Sequence, residues 1–269
     1  MVPCADLPPI RACLFDLDGL LLNTEDIYAE CIDILLKRHG KPKLPSSVKA
    51  RMQGRPGHAA NSILYEWAQL PIPDDDFAEL SALQHNLLPT AEPLPGVLEL
   101  LKRLRDCGLH LALATSSQEK TFRLKTDHLS QLVSFFPEEN RILGDDGRLG
   151  PNRGKPLPDI FLLALQSINS ALMPSEGFKS IRPEECLVFE DSVAGVEAAR
   201  RAGMRVIWCP HPQLKKALEG HEAEVLAGRK WNASDMDVHQ LDQSGDGWGE
   251  CLLTLESFPY EKYGFIVST

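Results

Sequence analysis

Short apolar runs and longer stretches of helical period alternate along most of the chain. Ala12–Phe15, Leu109–Ala114, Cys186–Phe189 and Arg205–Cys209 are continuously apolar or nearly so, the pattern of strands buried on both faces of a parallel sheet. Gly96–Cys107, Leu157–Leu165 and Val193–Ala202 carry helical periodicity between them. Gly108 and Gly203 stand where the first and third of these helices should end. The order predicts an α/β fold in which helices cross over between parallel strands.

The stretch from about Thr24 to Pro93 reads differently. Glu25–Arg38, Ala59–Gln69 and Asp75–Leu87 are amphipathic at helical spacing, and no strand pattern interrupts them. Pro71, Pro73, Pro89, Pro93 and Pro95 punctuate this region, and Glu92–Gly96 reads as a hinge back into the sheet. We therefore expect a helical insert after the first strand: residues 1–22 and 94–269 as the α/β core, and 23–93 as a cap. Beyond His211 the pattern weakens, with Ala223–Leu226 and Leu252–Leu255 read as edge strands.

Composition narrows the function classes. A formal net charge of -10 argues against a nucleic-acid or anionic-membrane surface, both of which require a basic face. The first fifteen residues lack the pattern of a signal peptide, and no apolar run approaches the roughly 20 residues of a membrane span, so a cytoplasmic protein is expected. Seven cysteines (4, 13, 31, 107, 186, 209, 251) form no C-x-x-C pair, which points to reduced thiols rather than disulfides or zinc. No obligate protein partner is evident.

In open α/β sheets ligands bind beyond the carboxyl ends of the strands. Four polar groups follow strand-like runs. In LFDLDG, Asp16 and Asp18 flank Leu17 ahead of Gly19; alone, D-x-D fits a surface turn as readily as a site. In LALATSS, Thr115 offers a hydroxyl to a phosphate oxygen, or caps the following helix, and Ser116 stands beside it. In GKPLPDIF, Lys155 is either a surface cation or a fixed charge that offsets a nucleophile and a phosphoryl group. In CLVFEDSVAG, Glu190 and Asp191 are hard oxygen ligands suited to Mg²⁺, or an acidic helix cap.

Taken in order, D-x-D-G, Thr, G-K-P and E-D resemble the haloacid dehalogenase superfamily of phosphohydrolases. The likeness runs over nearly the whole chain, helical cap included. It implies a Rossmann-like core, Mg²⁺ as cofactor and a small phosphorylated metabolite as substrate. It also implies that Asp16 attacks phosphorus, that Asp18 is acid and base, and that Thr115 and Lys155 fix phosphate oxygens. Mg²⁺ would be held by Asp16, the carbonyl of Asp18 and Asp191, with Glu190 near or in the shell. A dehalogenase has no need of the proton donor Asp18. Arg55 and Gln53, in a cap loop that matches the substrate-facing loop of relatives, are the candidates for substrate contact together with Ser116.

Within the superfamily, DLDGLLLNTEDIY, ALATSSQEKTFRLKT and CLVFEDSVAGVEAARRAGM look most like the pseudouridine-5′-phosphatases and their fungal relatives. Glycerol- and sugar-phosphate phosphatases remain competitors. A β-phosphoglucomutase carries a histidine where this chain has Tyr28, which disfavours a mutase, and Asn23 stands where many relatives have aspartate. A binding-only role is disfavoured by the complete residue set. The segment from Asp242 to Gly247 resembles an EF-hand start but has Leu253 at the twelfth position. Asn232 heads a formal glycosylation sequon.

Overall fold

The computed structural model describes residues 7–53, 57–70, 74–173, 177, 179–228 and 245–265. Six strands, β1 (Ala12–Phe15), β2 (His110–Ala114), β3 (Arg141–Ile142), β4 (Cys186–Glu190), β5 (Arg205–Trp208) and β6 (Gly249–Cys251), form one parallel sheet in the order β3-β2-β1-β4-β5-β6. This is the expected α/β, Rossmann-like architecture, with β1 at the centre where the strand order reverses.

Alternation within each strand explains why both faces are apolar. Cys13 and Phe15 of β1, Leu111 and Leu113 of β2, and Leu187 and Phe189 of β4 enter one core. Ala12, Leu14, Ala112, Ala114 and Val188 enter the other. The small side chains of Ala112 and Ala114 leave room on the second face for α8 (Asp159–Leu172), which packs Phe161, Ala164 and Leu165 there. That face is completed by α9 (Val193–Arg201). The first face is covered by α5 (Val97–Asp106), through Val97, Leu100, Leu101 and Leu104, and by Phe122 of α6 (Glu119–Thr126). Full burial of each such side chain contributes about 1.5–3 kcal/mol. Of the short helices α7 (Ser130–Val133), α10 (Pro212–Ala217) and α11 (Glu222–Leu226), α7 packs against α6, and α11 against α9 and β6.

Between Asn23 and Pro93 the described residues form α1 (Thr24–Arg38), α2 (Ser46–Met52), α3 (Gly57–Ala68) and α4 (Asp74–Leu87), and no strand. The two chain passages that join these helices to the sheet run side by side. Leu22 bridges Pro93, and the Leu94 amide donates to the Leu21 carbonyl at 2.9 Å. Asn23 contributes directly, since its Oδ1 accepts the Glu92 amide at 2.9 Å.

Two strand expectations fail. Ala223–Leu226 is helical within α11: an apolar run this short does not distinguish strand from helix, and Glu222 and Glu224 favour a helix first turn. The edge strand expected at Leu252–Leu255 lies earlier, at Gly249–Cys251, in register with Val206–Trp208. Gly108 (φ +76°) and Gly203 (φ +70°) occupy the left-handed conformation expected after α5 and α9. Of the EF-hand-like stretch, Asp242 and Ser244 lie outside the described residues, as does Asn232, while Asp246 pairs with buried Arg200. The six described cysteines form no disulfide with one another. No helix among the described residues is long and apolar enough to cross a membrane.

Candidate active site

Register alone brings the predicted groups to one rim. Phe15 pairs with Leu113 of β2 and with Phe189 of β4, so the residues that follow these strands emerge side by side. Asp16 follows β1, Thr115 follows β2, and Glu190 and Asp191 stand at the end of β4. Lys155 arrives from the loop before α8. Its Nζ donates to Asp16 Oδ1 at 2.5 Å and to Glu190 Oε1 at 2.6 Å, and its side chain is completely buried.

Carboxylate oxygens of Asp16, Glu190 and Asp191 lie within 4.8 Å of one another, all buried. Glu190 has little capacity left: beyond Lys155 it accepts the amides of Asp191 (2.9 Å) and Ser192 (3.0 Å) and the Ser192 hydroxyl (3.0 Å). Burial pushes the Asp16 carboxyl up, Lys155 opposes this, and the charges of Glu190 and Asp18 leave it at about 7. Burial, followed by Glu190, Asp16 and Glu25, lifts Asp191 well above the usual carboxylate range. Lys155 is itself raised, because Asp16 and Glu190 outweigh its burial. One lysine thus faces three buried carboxylates, a deficit of positive charge that a divalent cation would fill, and the donors are the hard oxygens that Mg²⁺ takes. The residues fit that ion.

Asp18 has different surroundings. Its carboxylate accepts from Lys125 Nζ at 2.7 Å on each oxygen, from Thr24 Oγ1 at 2.8 Å and from Ser117 Oγ at 2.7 Å. Burial would raise its pKa, but Lys125, aided by the two hydroxyls, holds it below the usual value. The two aspartates of D-x-D therefore titrate in opposite directions.

Two glycines are required beside the buried carboxylates. Gly19 has φ +81°, and a Cβ there would stand 2.2 Å from Asp191 Oδ2. A Cβ on Gly195 would stand 1.8 Å from Glu190 Oε1, so the start of α9 approaches this carboxylate only without a side chain.

Thr115 is buried and does not cap a helix, since the N-cap of α6 is Gln118; its Oγ1 accepts the Ser117 amide at 3.1 Å. Ser116 lines a cleft of about 910 Å³ that Asp16 and Asp18 also border. Gln53, at the end of α2, reaches into the site and donates through Nε2 to Asp191 Oδ2. Arg55 lies outside the described residues.

Four contributors escape motif reading: Thr24, Ser117, Lys125 and Lys49. Lys125 shares the inward face of α6 with Phe122 and Thr126, a spacing that would have flagged a cation among core positions. Lys49 lies on α2, buried at the cleft, with its Nζ 3.6 Å from Glu25 Oε2. Burial lifts the Glu25 carboxyl to about 7, despite Lys49, with Asp18 adding to the rise.

The model of the haloacid dehalogenase-like hydrolases matches residues 10–203. A Saccharomyces cerevisiae protein named as a probable pseudouridine-5′-phosphatase is 41% identical, covering 95% of this chain and 97% of its own. A mitochondrial (DL)-glycerol-3-phosphatase of Arabidopsis thaliana is 34% identical, covering 81% of this chain and 70% of its own. The crystal structure of a haloacid dehalogenase family hydrolase from Deinococcus radiodurans, with bound phosphate and sodium, shares the fold at a TM-score of 0.66 and 23% identity, covering 97% of this chain and 99% of that one. With its four motifs gathered at one sheet rim, this chain belongs to the haloacid dehalogenase-like hydrolases and is a phosphatase.

Proposed function

We propose that the protein is a Mg²⁺-dependent phosphomonoester hydrolase that acts through an aspartyl-phosphate intermediate on pseudouridine 5′-phosphate or a similar nucleoside or sugar phosphate. The observation that carries this reading is the divergence of Asp16 and Asp18. One carboxylate lies against Lys155 among the candidate metal ligands, and the other is bound separately by Lys125, Ser117 and Thr24. A carboxylate among the candidate metal ligands and a second one on the same cleft, held apart from them, suit a nucleophile and a separate proton-transfer group.

In this reading an Asp16 oxygen bonds to phosphorus as the ester oxygen leaves, and Asp18 gives that oxygen a proton. Water then attacks the aspartyl phosphate, returning a proton to Asp18 and freeing inorganic phosphate. Lys155, Thr115 and Ser116 hold phosphate oxygens. Asp16, Asp191 and the Asp18 carbonyl would hold Mg²⁺, with Glu190 beside them, and the ion supplies positive charge toward the phosphate.

Residues 23–93 act as the cap that selects the substrate, and residues 1–22 and 94–269 as the catalytic core. On the cleft's cap side, Tyr28, Tyr65, Asn61 and Gln84 offer two rings and two amides, a lining suited to a flat base with a hydrogen-bonding edge. Gln53 and Arg55 are the cap residues assigned to the substrate. The relative named for pseudouridine 5′-phosphate covers almost the full chain, which supports that choice over glycerol phosphate. We place the activity in the cytoplasm, with a small phosphorylated metabolite as the partner.

The test is Mg²⁺-dependent phosphate release from p-nitrophenyl phosphate, lost in Asp16→Asn. A panel of pseudouridine 5′-phosphate, glycerol phosphate and hexose phosphates then compares kcat/KM. Should pseudouridine 5′-phosphate be no better than the rest, the substrate assignment fails. Accumulation of a phosphosugar isomer instead of free phosphate would establish a mutase.

A further inference from the structure

Lys125 stands at a core position of α6. Phe122 and Thr126 share its inward face, and its side chain is completely buried. Removing an ammonium from water costs several kcal/mol unless its partners compensate. The hydrogen bonds it forms are to the two Asp18 oxygens, both at 2.7 Å, and to Ser117 Oγ at 2.5 Å. Its Nζ also stands 5.9 Å from the centre of the Tyr28 ring, which lines the same cleft. An apolar residue here would pack against Phe122 at no such cost, so the fold of α6 gives no reason for a cation.

The arrangement around Asp18 gives one. Lys125 touches both carboxylate oxygens, while Thr24 adds a donor to one and Ser117 a donor to the other. Together they fix the plane of the carboxylate, which keeps 19% of its side-chain surface exposed and borders the cleft. We infer that Lys125 is a positioning residue for proton transfer: with Ser117 and Thr24, it aims the Asp18 carboxyl at the leaving oxygen, keeping hold of one carboxyl oxygen while the other carries the proton. The inference rests on the acid and base role proposed for Asp18.

The bond changes are those already given: phosphorus to Asp16 forms, phosphorus to ester oxygen breaks, and one proton passes from Asp18 to that oxygen. A group that only aims this proton matters in proportion to how much the leaving group needs it. An alkoxide needs a proton to leave, whereas p-nitrophenolate departs as a stable anion. General acid help contributes about 10²–10⁴-fold where it is needed. A cation that merely supported the fold would affect both substrates alike.

The experiment measures kcat/KM with Mg²⁺ for glycerol 3-phosphate and for p-nitrophenyl phosphate in the full chain and in Lys125→Met, Lys125→Arg and Asp18→Asn. Lys125→Met is expected to lose about 100-fold on the alkyl ester and less than about 5-fold on the aryl ester, with partial recovery in Lys125→Arg. Asp18→Asn should show the same selectivity. Equal losses on both esters in Lys125→Met, or no loss, overturn the inference while Asp18→Asn leaves the acid–base reading standing. If Asp18→Asn is unselective, that reading fails and the inference with it. Where Lys125→Met does not fold, Ser117→Ala keeps the cation but removes its third anchor. A selective loss of about 10-fold on the alkyl ester supports the inference, and its absence overturns it.

Discussion

Lys155 and Asp16, 139 residues apart in the chain, meet Nζ to Oδ1 at 2.5 Å, and the same ammonium reaches Glu190 Oε1 at 2.6 Å. The lysine holds together a cluster of buried acids whose mutual repulsion would otherwise oppose folding.

Removing that cation leaves Asp16, Glu190 and Asp191 uncompensated. Lys155→Met is expected to destabilise the metal-free protein by about 3–5 kcal/mol, the usual effect of breaking a buried ion pair from one side. Mg²⁺ should recover more stability in the variant than in the wild type, because it meets a larger charge deficit. Denaturant unfolding with Mg²⁺ and with EDTA measures both quantities. An unchanged midpoint would show that Lys155 does not balance the cluster.

The raised carboxyls make stability depend on pH. Asp16 and Glu25 stand at about 7 in the folded protein, against ordinary values of 3.8 and 4.5. Such groups bind their protons more tightly when folded, so their contribution is complete below the unfolded values and is lost as pH rises through about 7. Metal-free protein should therefore lose on the order of 5 kcal/mol between pH 5 and pH 8, and saturating Mg²⁺ should flatten the decline. Unfolding midpoints across that range decide it, and a rise with pH in EDTA would contradict the assignment.

Gln53 ties the end of α2 to Asp191 through Nε2, while its Oε1 is buried with no partner. A side chain that leaves a polar atom unsatisfied adds little to stability. Gln53→Leu is accordingly expected to change unfolding free energy by less than about 1 kcal/mol. It should lower kcat/KM by about 10-fold, which corresponds to about 1.4 kcal/mol of transition-state stabilisation. Thermal melting read beside steady-state kinetics separates the two; a large loss of stability with normal kinetics would reverse the assignment.

Much of this protein was legible in one dimension. Strands buried on both faces leave continuous apolar runs, so β1, β2, β4 and β5 were located to within a residue or so, and the motif residues stand directly after three of them. The two-residue β3 and the polar β6 carry too little pattern to be read, and the run at α11 was too short to distinguish helix from strand. Sequence order placed Asp16, Thr115, Lys155, Glu190 and Asp191 on one rim, because a parallel sheet sends every strand end the same way. Only the tertiary structure decided how their charges pair. It set Lys155 between Asp16 and Glu190, brought Gln53 onto Asp191, and turned Lys125 inward from α6 to hold Asp18. Those contacts join residues far apart in the chain, and periodicity, which reports only which face of an element is buried, contains no information about what waits on the other side.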